Sequence, residues 1–227
     1  MSGGGGDGMK IALLPYEGRT LKALALKFSL ERELTVGIAE DLNLLACLFE
    51  RVVSCPEPEF RAGRVVIMGL INHVHCLLVG GLQAIEGGNP AVWSACARGL
   101  IETFGACILI SERPGSAPNY LERVSAGKLY TAAARAHPKL GKDLKRLHQI
   151  VHPASGAIYA ASTPIDEEKK TAIFDFGLRS PTASDGREGI IYLGNLATLI
   201  VKQFAGLVSN RDVLSAGKVI MDRTSKV

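Results

Sequence analysis

A chain of 227 residues is long enough to bury one substantial core and too short to need two. Apolar residues make up 47% of it and the mean hydropathy is positive, which excludes a disordered, charge-dominated chain and requires many buried helix faces or an oligomer interface. The formal charge is only +4, so any strongly basic surface has to come from local clustering.

Cys47, Cys55, Cys76, Cys96 and Cys107 are odd in number, lack C-x-x-C spacing and lie in or beside apolar runs. That pattern argues for free thiols in a reducing compartment, against a disulfide framework and against a zinc-thiolate site. Residues 1–9 are glycine-rich without a basic start and an apolar core, so they read as a flexible leader or expression remnant rather than a signal peptide. The expectation is a cytoplasmic protein with one helical domain over residues 10–227.

In chain order, Leu21, Leu24, Ala25 and Phe28 recur at helical spacing, followed by Leu42, Leu45, Leu48, Phe49 and Val52 in residues 41–53. Pro56 and Pro58 break the chain, and a long helix is expected over 60–85 until Gly87-Gly88 stops it. Asn89-Pro90 supplies an N-cap and first-turn proline for a helix to about residue 110. Shorter helices fit 119–135 and 138–152. Residues 171–178 alternate with a period of two, which predicts a strand in a small β-hairpin near 171–193 with its tip at 180–189, an excursion spanning about 160–190. Helical spacing returns over 191–208 and 213–221. The fold class is therefore all-α, a bundle of five to seven helices with one small hairpin. Two apolar runs, 65–82 and 190–208, are interrupted by Asn72, His73 and His75 and by Asn195, Lys202 and Gln203, which argues for core helices and no membrane contact.

The helix predicted over 138–152 concentrates the chemistry. Leu140, Leu144, Leu147 and Val151 form one apolar stripe, leaving Lys139, Lys142, Lys145 and Arg146 toward solvent. Between Arg135 and His152 the balance of Lys and Arg over Asp is +4, equal to the excess of the whole chain. Such a face can hold phosphates, and it can also be a merely solvated helix side. His148 and His152, four residues apart, border the stripe together, and the negative helix end favours an imidazolium at His152, a reasonable general acid. His-x-x-x-His is also a metal spacing, but the base position of zinc peptidases holds Gln149 here, so no metal and no cofactor are expected.

Arg98 and Glu102 sit four apart among Val92, Trp93, Cys96, Leu100, Ile101 and Phe104. A helix this apolar predicts a desolvated pair, costly unless it orients something, with His152 as the candidate. A boundary ion pair is the plainer alternative. His73, Trp93 and His148 are a further candidate set for a small-ligand pocket between helices. No phosphate-binding glycine loop or nucleophile-elbow motif is present.

Arg98-Gly-Leu-Ile-Glu102 and Leu147-His-Gln-Ile-Val-His-Pro153 together resemble an uncharacterised bacterial all-helical family, in which an R-x-x-x-E helix precedes one ending in hydrophobic-His-Pro. The resemblance covers about residues 60–208 and implies a helical bundle without an assigned activity. The region is also similar to the HEPN superfamily of small, commonly dimeric helical domains, many of them metal-independent RNA endonucleases with an Arg, four to six residues and a His; Arg146 and His152 fit that spacing. This likeness implies a homodimer with a composite site, because residues six apart lie about 120° apart around one helix.

The leading expectation is thus a HEPN-like RNA-binding protein or endoribonuclease. His152, with His148, would act as general acid or base, Arg146 would stabilise phosphorane charge, and Lys139, Lys142 and Lys145 would hold the RNA backbone. The rival is a non-enzymatic oligomerisation module in which Arg98, Glu102 and His152 form an internal polar cluster.

Overall fold

A computed structural model of the chain describes residues 15–55, 61–121, 124–151, 162–166, 171–174 and 183–218, without the side chains of residues 15–17, 148–151, 162–166, 171–174 and 183–185. His152 and residues 1–14 lie outside the described residues.

Among the described residues there are eight α-helices: α1 (Pro15–Phe28), α2 (Arg32–Val53), α3 (Ala62–Glu86), α4 (Pro90–Glu112), α5 (Ala126–Ala136), α6 (Pro138–Val151), α7 (Ala183–Ser209) and α8 (Arg211–Leu214). A 3-10 helix, Pro114–Leu121, follows α4. The all-α class holds, whereas five to seven helices was an underestimate. Ser162–Asp166 and Thr171–Phe174 pair antiparallel, with a register irregularity between Thr163 and Asp166, where Pro164 has no N–H to give the ladder.

The hairpin expected near 171–193 does not form. The strand segment 171–174 pairs upstream rather than downstream, and α7 runs through residues 183–193. Gly186 and Gly189, within the expected tip, serve close packing: a Cβ on Gly186 would lie 2.1 Å from the Phe28 ring, and one on Gly189 3.0 Å from Ile85.

α3 and α4 form a hairpin whose turn follows the sequence chemistry. Gly88 adopts φ 72°, and Asn89 Oδ1 accepts from the Val92 amide at 3.1 Å, capping α4 behind Pro90. The two helices approach closely where Gly81 faces Cys96 and Gly99 faces Leu77. α7 lies against both and supplies Ile190, Leu193, Ile200 and Phe204 to the core, with Ile67, Ile71, Leu78, Leu100 and Ile101 from α3 and α4 and Ile38, Leu42 and Leu45 from α2. Arg64 is buried and its guanidinium donates to the carbonyls of Val52 (2.8 Å), Val53 (2.7 Å) and Cys55 (3.2 Å), a charged cap at the end of α2. At the start of α3, the amides of Ala62 and Gly63 donate to Lys218 O (3.2 Å) and Ala216 O (3.0 Å), so the segment after α8 caps a helix far earlier in the chain.

The cytoplasmic expectation is overturned. Ala62–Glu86, Pro90–Glu112 and Gly186–Ser209 are each long and apolar enough, by length and composition, to cross a membrane. Only 39% of the most apolar stretch, in α3, is buried within the bundle. The polar interruptions used to argue against spans are too few to offset the aliphatic content around them. In α4, which the sequence reading did not treat as a candidate, Arg98 and Glu102 neutralise each other.

Candidate functional site

The site is built on α4, α5 and α6. α5 is alanine-rich and buries only short side chains, Ala132 and Ala133, against α4. Its backbone comes close because residue 105 of α4 is glycine: a Cβ there would stand 2.0 Å from the Leu129 carbonyl oxygen. The next residue, Tyr130, reaches back over α4. Its hydroxyl donates to Glu102 Oε1 and accepts from Arg98 Nε, and Arg98 Nε also lies 3.1 Å from Glu102 Oε1. The Arg98 guanidinium stands 5.4 Å from the centre of the Tyr130 ring, within cation–π range.

This cluster differs from the desolvated pair expected. The Arg98 and Glu102 side chains keep 24% and 30% of their exposure, so water reaches them, and the orienting partner is Tyr130. Burial and the hydrogen bond to Glu102 push the Tyr130 phenol up to about 12, with Arg98 opposing. It is therefore a neutral donor near neutrality and not a proton exchanger. Sequence reasoning missed Tyr130 because nothing in its local spacing reveals a partner 28 residues earlier; the isolated tyrosine in an alanine run was the available signal.

α6 continues the hairpin. Leu140, Leu144 and Leu147 are buried, Gly141 packs on Ala134 of α5, and Lys139, Lys142, Lys145 and Arg146 are all exposed. The one acid of the helix, Asp143, is turned inward and accepts from the Tyr192 hydroxyl of α7 at 3.1 Å. Among the described residues no ion pair joins the four cations to a carboxylate, whereas Arg135 on α5 is paired with Glu112 of α4. Among the described residues, then, the positive charge of the α6 face has no paired carboxylate.

His148 sits on α6, but its side chain, like all of His152, lies outside the described residues, so neither imidazole is placed relative to Arg146, Arg98 or Glu102. His73 is exposed on α3 and Trp93 is half-buried on α4. Neither lines the open groove of about 560 Å³ bounded by Leu109, Ser125, Lys128, Thr131 and Arg135. His137, which closes α5 directly before Pro138, was overlooked although His137-Pro138 repeats the His152-Pro153 dipeptide. Its Nδ1 is buried without a hydrogen-bond partner among the described residues. Among those residues no three His, Cys, Asp or Glu side chains gather as metal ligands.

What fold and site define is an all-helical bundle with a cationic helix α6 beside an Arg–Glu–Tyr cluster that joins α4 to α5. No family model, curated protein or solved structure matches the chain.

Proposed function

We propose that this protein binds RNA through the exposed face of α6, with Lys139, Lys142, Lys145 and Arg146 on the phosphate backbone. The observation that carries the reading is the turning-in of Asp143, which leaves four exposed cations on one helix with no carboxylate paired to them among the described residues. Such a face gains affinity by releasing counterions from a polyanion, without reading sequence. α6 is not one of the three apolar helices, and its cations stand in solvent.

In the HEPN-type ribonuclease reading, His152 takes the proton of a ribose 2′-hydroxyl as that oxygen attacks phosphorus, His148 protonates the departing oxygen, and Arg146 balances phosphorane charge. A homodimer supplies the second set of groups. Two measurements test this. Retention on single-stranded RNA should fall with salt, with a slope in log units of roughly 3 for four phosphate contacts, and His152→Ala should abolish cleavage while sparing retention. Salt-independent retention, or none, refutes RNA binding. Undiminished cleavage by His152→Ala refutes the nuclease assignment.

A second reading, an interaction module without chemistry, is favoured by the Arg98–Glu102–Tyr130 cluster, whose three members hydrogen-bond to one another across α4 and α5. It predicts self-association in sedimentation and no cleavage of RNA.

A further inference from the structure

We propose that Tyr130 is a positioning residue for the cationic face: with Arg98 and Glu102 it latches the α5–α6 hairpin onto α4, and cutting the latch lets the hairpin open as a unit. This rests on the RNA-binding reading for its functional consequence, though not for the latch itself.

The hairpin is set apart by how it is held. α5 and α6 pack on α4 and on each other, and among the described residues the Asp143–Tyr192 hydrogen bond joins α6 to α7. Among the described side chains the hairpin's buried apolar anchor is two alanines from α5 and three leucines from α6, and Ala133 and the leucines join the core of the bundle. Polar contacts add to it: Tyr130 to Arg98 and Glu102, and Arg135 to Glu112, both linking α5 to α4. Of these, Arg135–Glu112 is the more exposed, at 58% and 46%, and contributes least. The Tyr130 contact joins a neutral phenol to both members of an ion pair at reduced exposure, the stronger class of hydrogen bond. Elements that pack mainly on one neighbour can open locally without global unfolding, and α5 with α6, which pack mainly on α4 and on each other, carry every cation of the proposed RNA surface. Gly105 belongs to the device, because only a residue without Cβ lets Leu129 come near enough for Tyr130 to reach.

Tyr130→Phe keeps the ring over Arg98 and removes the hydroxyl alone. Amide hydrogen exchange on the purified full chain should show residues 126–147 exchanging about tenfold faster or more in the variant, from loss of a hydrogen bond to charged groups, with 66–82 and 190–207 unchanged. Binding of a short single-stranded RNA should weaken in the same variant, and RNA should restore protection to 126–147. Exchange at the parental rate overturns the latch, and so does an equal acceleration in all helices, which would make the contact a support of the whole fold. Failure of the parent protein to bind RNA, with the exchange difference present, refutes the RNA reading and leaves the latch standing.

Discussion

Replacing Gly105 by alanine puts two opposing effects in one residue. Alanine in a helix interior gains about 0.5–1 kcal/mol over glycine by lowering the entropy of the unfolded chain. At Gly105, however, the added Cβ would stand 2.0 Å from the Leu129 oxygen, where a carbon–oxygen contact needs about 3.3 Å, so α4 and α5 must separate by roughly 1.3 Å. The obstructing atom is backbone and cannot rotate away. Overpacking of this kind costs about 1–3 kcal/mol, and the shift also lengthens the Tyr130 hydrogen bonds, worth about 1.5 kcal/mol or more toward charged partners. The net expectation is destabilisation by about 1–3 kcal/mol, a fall in Tm of roughly 3–10 °C for a chain of this length. Gly69→Ala is the internal control, because a Cβ there meets nothing within 4 Å. Thermal and urea denaturation of both variants should move in opposite directions, Gly69→Ala upward by about 2 °C. A Gly105→Ala protein as stable as the parent, or both variants shifting alike, would refute the claim that backbone proximity at this point sets the α4–α5 contact.

Arg64→Met should cost about 2–3 kcal/mol in urea unfolding, since it leaves three carbonyls at the end of α2 without their charged donor. Alanine at Lys139, Lys142, Lys145 and Arg146 together should leave the melting temperature within a few degrees, because all four are exposed, and should flatten the salt dependence of RNA retention by roughly 3 log units per log unit of salt. Stability should also fall at high pH. The Tyr130 pKa is raised to about 12 in the folded protein, so its contribution is complete below about 10, the value in the unfolded chain, and is lost as pH rises through 10–12. Tyr130→Phe should lack that component when denaturation midpoints are compared from pH 8 to 12.

The parts of the fold that were legible are those carried by local periodicity. The α6 stripe of Leu140, Leu144 and Leu147, with cations on the other side, follows from a 3.6-residue repeat, and the Asn89-Pro90 start of α4 is local capping chemistry. Where glycine has two physical meanings, the reading failed. Gly186 and Gly189 mark the beginning of α7, where they admit Phe28 and Ile85, and no local pattern separates that use from a turn. The start of α2 was placed nine residues late because Gly37 obscured the buried Ile38. For the site, Arg98 and Glu102 could be picked out as anomalies in an apolar helix, but their setting could not. Whether such a pair is sealed or wet depends on what the neighbouring helix brings, and here it brings a phenol. The membrane question was misjudged by weighing isolated polar residues over the aliphatic mass around them.

The closure of the first turn of α3 by the carbonyls of Ala216 and Lys218 has a consequence for the order in which this protein is made. On the ribosome, α3 emerges without these acceptors, and some 150 residues are synthesised before the segment that supplies them exists. Closing so long a loop is slow compared with forming any single helix. A chain that lacks residues 216–218 would therefore leave the first turn of α3 without these two acceptors, however well its other helices had formed.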